Sequence, residues 1–482
     1  MKKADKEACN KVLQGMKKIP RKTKEQLKPL VQKLLTKCSD AKALTKKAEW
    51  DEMKEIFELL KAVQDIEKNY QAPLPDRTSN WERFYEWCTE SGADFKSVEV
   101  AEISDGNYGL KAVRDIKEDE PFLVIPRKLM MSEMSAKNSR LGPLINNNPI
   151  LQHMPNVQVA MHLLSEFLNP KSFWSPYISI LPSTFSTILY FSLEEIKELQ
   201  KSPAIDEVFK ILRSVIRQYS YFFQLFEYDS YGKSLNIGPY FTFDLYRWAV
   251  SCTMTRQNFL PSPDGHTQVT SLVPLFDMCN HINGKLSTDF NLEKNSLISY
   301  SFKAFPKDSE VYMFYGPRSN AEFLVHNGFV YSENSNDTLE IKLGISKNDP
   351  LCILKNELCT KLNISLNGPF YLSNEKLSTE LLRFLSVNVM KSDEIERLLN
   401  DKDDIAEDLL IESADFKKRA LSFLKDRVNL LLKSYGSTIE EDEDLLTQSV
   451  PESPHQQLAV QLRICEKKIL SHTYEYCVQN LA

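Results

Sequence analysis

The stretch DMCNHING, residues 277–284, decides the fold class of this chain. It follows the apolar run VPLF and ends in a glycine turn, so the pair Asn280–His281 stands at the end of a strand-like segment. An Asn-His pair by itself is weak evidence for a functional site, because a single histidine is more often a structural residue. Its meaning depends on two further clusters that lie far from it in the sequence.

The first of these clusters is FYGPRSNAEFLVHNGF, residues 314–329. It begins with a Tyr-Gly pair at the end of a predicted strand, which places a phenol and several hydrogen-bond donors in a loop, where sites usually form. The second is DGNYGLKAVRDIKEDEPFLVIPRKL, residues 105–129, in which Gly106 and Gly109 allow the backbone to approach a ligand closely. Both clusters combine glycine turns with polar and aromatic side chains, which fits neither a plain core nor a plain surface.

In this order along the chain, the three clusters resemble the SET family of protein methyltransferases. The turn at residues 105–109 resembles the cofactor-binding loop of that family, NHING resembles its Asn-His knot motif, and Tyr315 matches its catalytic tyrosine. The resemblance implies a site at which two chain segments thread through one another. It therefore brings together motifs that are about 220 residues apart.

Four longer segments are similar to one branch of the SET family, the actin-histidine N-methyltransferases. They are SAKNSRLGPL (135–144), FWSPYISILP (173–182), RWAVSCTMTRQN (247–258) and YGPRSNAEFLVHNGF (315–329). The similarity extends from about residue 75 to about residue 470. It implies a SET core with a helical insertion, followed by a domain similar to the Rubisco-lysine-methyltransferase substrate-binding domain.

The hydrophobic patterning predicts an α+β fold of the same kind. Helical faces cover the first ninety residues, strands the region 98–126, helices about 135–255, strands again 269–344, and helices everything after about 350. A capping box from Ser79 to Glu82 predicts the start of one helix. We expect an N-terminal helical region (1–93), a β-rich SET domain with a knot-like core (94–316, helical insertion about 135–255), and a C-terminal flank with an all-α domain (317–482).

The resemblance also implies S-adenosylmethionine as the cofactor. Arg77 and Arg256 are expected to pair with its carboxylate, since arginine suits bidentate binding of anions. The sequence departs from the family pattern at Gly106, Asn107 and Tyr108. The branch usually has an acidic residue, then Gly, then an aromatic residue at this place. We therefore do not expect the carboxylate contact that the acidic residue of the branch would make. The complete set of implied cofactor-binding residues is Arg77, Gly106, Asn107, Tyr108, Arg256, Asp277, Met278, Cys279, Asn280, His281, Asn327, Gly328 and Phe329.

On the substrate side, the resemblance implies Tyr315 and Asn258 as catalytic residues, and Phe276 and Arg318 as substrate-binding residues. A histidine side chain is largely neutral at pH 7, whereas a lysine must first lose a proton. A histidine methyltransferase therefore needs a group that selects the tautomer, and the amide of Asn258 can bind one ring nitrogen and direct the other towards the methyl group. Phe276 stands where the branch usually has Trp.

Three functions compete. The preferred one is methylation of an actin histidine at its tele nitrogen, because TRQN (255–258) places an amide where the branch has its imidazole partner. The second is protein-lysine methylation, since the C-terminal domain also occurs in lysine-specific relatives. The third is a non-catalytic SET module that binds actin or another protein, although such a module would need neither Tyr315 nor the Asn-His pair.

Composition excludes several other classes. A net charge of −6 in 482 residues argues against nucleic acid as a partner, and no apolar run reaches the length of a membrane span. Nine cysteines without a CxxC pair predict no metal site and reduced thiols. We expect a cytoplasmic monomer. Residues 1–48 carry fifteen Lys/Arg against four Asp/Glu, which leaves open a nuclear address or an arm for an acidic partner.

Overall fold

The computed structural model describes residues 15–40, 45–104, 106–400, 413–447 and 453–481. These residues form two compact units. The first takes the described residues of Met1–Leu193, Glu207–Gly316 and His326–Gly328, and the second those of Glu194–Asp206, Pro317–Val325 and Phe329–Ala482. Compactness does not test the domain limits expected above, and these stay predictions.

The first unit begins with two long helices, α1 (Arg21–Ser39) and α2 (Lys46–Glu67). They pack against each other because apolar residues recur every three or four positions along each. A third helix, α3, spans Trp81–Glu90. The predicted capping box is wrong, since a 3₁₀ turn occupies Arg77–Ser79 and Asn80 is the N-cap residue of α3.

A four-stranded sheet of the first unit unites the motifs predicted to form the site. Its strands are β1 (Val98–Ser104), β2 (Asn107–Ala112), β7 (Asn280–His281) and β10 (Glu310–Met313), in the order β1-β2-β10-β7. β1, β2 and β10 pair antiparallel, whereas β7 runs parallel to β10. Strands β2 and β10, which are about 200 residues apart in sequence, therefore become neighbours, as the SET resemblance implied.

Two three-stranded sheets complete the β part of this unit. One has the order β3-β9-β8, with β3 at Pro121–Pro126, β8 at Thr288–Asn291 and β9 at Ser296–Tyr300. The other has the order β4-β6-β5, with β4 at Met131–Ser132, β5 at Gln257–Pro261 and β6 at Gln268–Leu272. Strand β5 carries Asn258, which lies opposite Ser271 of β6.

Between β4 and β5 the chain is helical. The helices are α4 (Glu133–Lys137), α5 (Gly142–Asn147), α6 (Pro149–His153), α7 (Pro155–Phe167), α8 (Ser175–Ile178), α9 (Leu193–Lys197), α10 (Ala204–Tyr228), α11 (Ser230–Ser234) and α12 (Phe243–Arg256). Aromatic side chains of α10 are buried here, and Tyr219 stacks on Phe241 with ring centroids 5.6 Å apart. Helix α12 ends at Arg256, immediately before the strand that carries Asn258.

The second unit contains α13 (Asn320–Glu322), a π-helical turn (Phe323–Asn327, whose last two residues belong to the first unit), β11 (Leu339–Ile341), α14 (Cys352–Lys361), β12 (Phe370–Leu372), α15 (Thr379–Asn388), α16 (Ser392–Asn400), α17 (Ala414–Ser434), α18 (Ile439–Thr447) and α19 (Pro454–Leu481). Its core is built from leucine-rich helix faces around Phe384. The expectation of helices alone after residue 350 needs one correction, because β12 pairs with β11 and buries Phe370 and Leu372 in that core. None of the described helices is both long and apolar enough to span a bilayer.

Candidate active site

The Asn-His pair and the Tyr-Gly pair meet at the ends of two parallel strands. Asn280 lies opposite Tyr312, and His281 opposite Met313, so Tyr315 follows directly after the paired segment. The backbone N–H of Tyr315 donates to Nδ1 of His281 at 3.1 Å, and its hydroxyl donates to the carbonyl of Cys279 at 2.7 Å. The phenol of Tyr315 is thereby fixed in position from both ends of the residue.

The side chain of Asn280 connects three strands. Its Nδ2 donates to Oε1 of Glu310 at 2.7 Å and to the carbonyl of Tyr108 at 3.3 Å. A Cβ on Gly109 would lie 2.6 Å from that glutamate oxygen and 2.9 Å from the amide nitrogen. Glycine is therefore required at position 109 because Asn280 approaches the backbone there.

The turn before β2 has its own internal carboxylate contact. Gly106 has a φ of +75°, which favours glycine, and its N–H donates to Oε1 of Glu102 at 2.7 Å. Asp105, part of the quoted motif, lies outside the described residues. Asn107 donates from Nδ2 to Ser104 Oγ at 3.3 Å and is exposed.

Arg77 lies over an aromatic platform. Its guanidinium carbon is 4.5 Å from the ring centroid of Tyr108 and 5.7 Å from that of Trp81. Nη2 donates to the sulfur of Met278 at 3.7 Å, and no carboxylate of the described residues lies within ion-pair distance. Burial and the nearby charge of Arg256 lower the pKa of Arg77 to about 10. The site therefore holds a half-buried cation that lacks a strong hydrogen-bond acceptor.

Arg256 has a different environment. Its Nη1 donates to the backbone carbonyl of Asp277 at 2.5 Å and lies 3.6 Å from Oδ2 of the same residue. Burial acts to lower the pKa of Arg256, but the charge of Asp277 and the neighbouring Tyr177 raise it above its ordinary value. The hydroxyl of Tyr177 also donates to Asp277 Oδ2. Among the described residues, Arg256 thus already has the anionic partner that Arg77 lacks.

Sequence reasoning missed two residues of this cluster, Tyr177 and Trp81. Tyr177 belongs to the quoted segment FWSPYISILP, but it reads there as one apolar position of a buried helix. Its contact with Asp277 spans 100 residues, and a single sequence carries no signal for such a pair. Trp81 has a helical spacing that predicts core packing, whereas its ring lies 5.1 Å from that of Tyr108.

Asn258 is oriented by the backbone. Its Nδ2 donates to the carbonyl of Arg256 at 3.0 Å, which leaves Oδ1 as the acceptor directed away from that bond. Phe276 is 5% exposed and opens the 3₁₀ turn Phe276–Met278. The preceding Leu275 has φ +68° and ψ −49°, a strained conformation for a residue with a Cβ. Such strain is tolerated where the surrounding structure holds a turn in place, here the turn into the Asn-His motif.

The last predicted residues divide between the two units. Asn327 and Gly328 belong to the first, and Nδ2 of Asn327 donates to the carbonyl of Thr255 at 3.4 Å. Gly328 has a φ of +83°, and a Cβ on it would lie 2.8 Å from the backbone of Ser186. Arg318 and Phe329 belong to the second unit, where the ring of Phe329 stacks on Phe323 at 4.7 Å and the carbonyl of Arg318 accepts from Asn334.

These contacts therefore form one continuous chain through the first unit. It runs from Tyr108 and Arg77 through Met278 to Arg256, Asp277 and Asn258, and it meets Tyr315 at Cys279 and His281. The roles of these residues towards cofactor and substrate stay predictions. The described residues contain no group of three or more His, Cys, Asp or Glu that could hold a metal ion.

Comparison with known proteins adds relatives over nearly the whole chain. Residues 346–470 match the family described as Rubisco LSMT substrate-binding. An actin-histidine N-methyltransferase of Canis lupus familiaris is 39% identical over 463 residues, which is 94% of this chain and 78% of that protein. Proteins of the same name from Homo sapiens and Xenopus tropicalis are each 38% identical over 94% of this chain, covering 77% and 79% of their own lengths.

Solved structures show the same fold at lower identity. The SET domain of LSMT bound to lysine and AdoHcy is 21% identical, with a TM-score of 0.65 over 84% of this chain and 92% of that one. Rubisco LSMT bound to AdoMet gives a TM-score of 0.63 with the same identity and coverage. The SET architecture with α+β composition predicted from the sequence is confirmed.

Proposed function

This chain belongs to the family of actin-histidine N-methyltransferases, and we propose that it methylates a histidine side chain of actin at the tele nitrogen, with S-adenosylmethionine as the methyl donor. The observation that carries the proposal is the fixed amide of Asn258, at the end of the chain of contacts that includes Arg77, Asp277 and Tyr315. The relatives' name supplies the substrate, and the geometry supplies a way to act on it.

The residues present fit the cofactor. Arg77 is a half-buried cation whose only hydrogen-bond acceptor in the described residues is a thioether. The carboxylate of the cofactor would supply the anionic acceptor for this guanidinium. Tyr108 and Trp81 form the aromatic surface beneath this guanidinium. When bound, S-adenosylmethionine supplies a methyl group on a sulfonium, which needs neither a metal nor a redox partner. Arg77 would bind its carboxylate, and Arg256 would raise the local positive potential while remaining paired with Asp277.

Asn258 accounts for the choice of ring nitrogen. Nδ2 gives one of its two N–H groups to the carbonyl of Arg256, and we propose that the amide meets the substrate ring through Oδ1, which is an acceptor. An imidazole can meet an acceptor only with a nitrogen that carries hydrogen. The other ring nitrogen then keeps its lone pair and is the nucleophile. With the pros nitrogen of the substrate facing Asn258, the selected tautomer carries hydrogen on that nitrogen and leaves the tele nitrogen reactive.

Tyr315 and His281 give the site its rigidity. The phenol oxygen of Tyr315 donates to the carbonyl of Cys279, so its lone pairs point elsewhere and can accept from a substrate N–H. His281 accepts the backbone N–H of Tyr315 at Nδ1, which fixes the neutral tautomer with hydrogen on Nε2. Since a neutral imidazole needs no strong base, positioning of the ring accounts for most of what these residues must do.

A methyl-transfer assay tests the proposal. Tritiated S-adenosylmethionine and purified actin should give label in one histidine of actin, located by peptide mass analysis, with a reaction lacking enzyme as the control. Label on a lysine would establish the second function considered above. Binding of actin without transfer, in the presence of bound cofactor, would establish the non-catalytic one.

A further inference from the structure

The carboxylate of Asp277 is the most deeply buried charge of the first unit's site. Its side chain is 1% exposed, and a buried carboxylate must be paired and hydrogen-bonded to remain ionised. Oδ2 accepts the hydroxyl of Tyr177 and lies 3.6 Å from Nη1 of Arg256. Oδ1 has no hydrogen-bond partner in the described residues. The side chains in direct contact with this carboxylate are thus one arginine and one phenol.

This ion pair connects the two halves of the site. Asp277 lies three residues before Asn280, in the 3₁₀ turn that leads into the knot motif. Arg256 lies two residues before Asn258, and its carbonyl holds the amide of that residue. The guanidinium of Arg256 also donates to the backbone carbonyl of Asp277. A neutral Asp277 would leave Arg256 without its counter-charge, and only the hydrogen bond to the backbone carbonyl would then join the two segments through this arginine.

The groups that face Asp277 can be identified element by element. Helix α12 contributes Arg256 and Cys252, and α3 contributes Cys88. Arg77 lies in the 3₁₀ turn before α3, Tyr177 lies in α8, and Cys279 lies in the same loop as Asp277. Burial raises the pKa of the three thiols, so they are uncharged near neutral pH. Burial likewise raises the pKa of Asp277, against the lowering effects of Arg256, Tyr177 and Arg77. Removing any one of these opposing contacts favours the protonated acid.

We propose that Tyr177 is a positioning residue: its hydroxyl keeps Asp277 ionised and directed towards Arg256, and so holds strand β5 and the Asn-His loop in the arrangement that binds the cofactor. The inference rests on the proposed function only in its choice of cofactor. Tyr177 itself takes no part in the transfer. It acts through Asp277 and Arg256.

The test compares Tyr177→Phe with Tyr246→Phe. Both tyrosines are fully buried in the first unit. Tyr177→Phe removes the hydrogen bond to Asp277, and Tyr246→Phe removes the hydrogen bond to Oε1 of Gln218. Calorimetry would measure the Kd of S-adenosylmethionine between pH 6 and pH 9 without protein substrate, so that a substrate histidine does not titrate. The ratio of variant to wild-type Kd at each pH removes the titration of the cofactor itself.

We expect the Tyr177→Phe ratio to rise severalfold as the pH falls, because loss of the phenol removes a contact that lowers the pKa of Asp277 and so favours the protonated acid. The Tyr246→Phe ratio should not change with pH. Asp277→Asn, which imitates the protonated acid, should bind weakly at every pH. A ratio for Tyr177→Phe that is the same at all pH values, or one that Tyr246→Phe reproduces, would reduce Tyr177 to a structural role.

A second readout needs no cofactor. In the Tyr177→Phe variant the folded state would hold a proton on Asp277 over a pH range in which the unfolded chain has lost it. Stability is then lost as pH rises through that range. The difference in Tm between wild type and this variant should therefore grow from pH 6 to pH 9, opposite in direction to the effect on cofactor affinity. A constant difference would overturn the inference, whereas failure of the wild type to methylate actin would overturn only the proposed function.

Discussion

At the residue scale, the role proposed for Asn258 is the selection of a histidine over a lysine side chain. A ring nitrogen that loses its hydrogen-bond partner in a buried site costs roughly 1–3 kcal/mol. We expect Asn258→Phe to lower kcat/KM for a histidine peptide by about ten- to a hundredfold. A lysine side chain has no second nitrogen to satisfy, so activity on a peptide with lysine at that position should fall less or even rise.

The measurement is a pair of kcat/KM values for histidine and lysine peptides with each enzyme. Asn258→Ala is the matched control, since it removes the amide without adding a ring and should reduce histidine methylation with no gain on lysine. Equal losses on both peptides with Asn258→Phe would mean that the residue supports strand β5 through its bond to Arg256, and does not read the imidazole.

The two arginines of the site differ, and the sequence motifs could not show this. Both were expected to bind the cofactor carboxylate, yet Arg256 is paired with Asp277 whereas Arg77 has only a sulfur acceptor in the described part of the chain. A charge-assisted hydrogen bond contributes about 1.5–3 kcal/mol. We expect Arg77→Ala to raise the Kd of S-adenosylmethionine by roughly ten- to a hundredfold with little change in Tm.

Calorimetry and thermal unfolding of three variants check this difference. Arg127→Ala is the control, because Arg127 is also partly buried but contacts Phe290 and Asn295 away from the site. Arg256→Ala should weaken cofactor binding and lower Tm together, since it leaves Asp277 buried without its cation. If Arg77→Ala lowers Tm as much as Arg256→Ala does, Arg77 supports the fold and not the ligand.

At the element scale, helix α2 is anchored by a buried acid. Glu67, its last residue, is fully buried, with Oε1 accepting from the hydroxyl of Tyr219 at 2.5 Å and Oε2 from the N–H of Phe243 at 2.8 Å. No cation pairs with it in the described residues. Burial raises the pKa of Glu67 to about 8, against the lowering effect of these two bonds. The helix therefore docks onto α10 and α12 through a carboxyl that is protonated at neutral pH.

This predicts a stability that depends on pH. Between the unfolded pKa of 4.5 and the folded value of about 8, the folded state binds the extra proton, so stability is lost as pH rises through that window. We expect the Tm of Glu67→Gln to change less between pH 6 and pH 9 than that of the wild type, by roughly 5 °C. Glu58→Gln, an exposed position on the same helix, should behave like the wild type. A parallel pH profile for the wild type and Glu67→Gln would show that Glu67 does not titrate in this range.

Elements with a local signal could be predicted, and those that depend on distant partners could not. Helix α10 lies in the region of about 135–255 that was predicted to be helical, because its apolar and aromatic spacing persists over about seven turns. Strands β9 and β10 lie within the region 269–344 predicted to form strands, and β6 begins one residue before it. Strand β12 was missed, since three residues carry almost no periodicity and form a strand only through pairing with β11. Site residues that belong to contiguous motifs were predicted from the sequence. Tyr177 was not predicted, because its partner Asp277 is 100 residues away.

At the scale of the whole molecule, charge is distributed unevenly. The chain carries a net charge of −6, yet residues 1–48 hold fifteen bases against four acids. Part of this basic segment is well folded: Leu27, Val31 and Leu34 of α1 are fully buried, and the N–H of Ile19 donates to the carbonyl of Pro239 at 2.8 Å. Removal of residues 1–48 would delete that apolar face and expose the side of α2 that packs against it. The charge of this segment has to be tested without removing the helix.

The surface of the described part of the segment allows such a test. Lys17, Lys18, Arg21 and Lys22 are exposed before and in the first turn of α1, which contains no acidic residue. Four like charges at a positive helix end repel one another and attract an acidic partner over about a Debye length. We therefore expect Lys17→Glu combined with Lys22→Glu to leave kcat unchanged at saturating actin. At low ionic strength, about 20 mM salt, the same double variant should have a severalfold lower kcat/KM.

The difference between variant and wild type should disappear as salt is raised, because screening removes the attraction that the lysines supply. Lys294→Glu combined with Lys347→Glu, which changes the net charge equally at exposed positions elsewhere in the chain, is the matched control and should have a smaller effect. A loss of kcat in the α1 variant would point to a structural role of this helix end. Equal effects of both double variants would mean that net charge, and not a local docking surface, governs the encounter with actin.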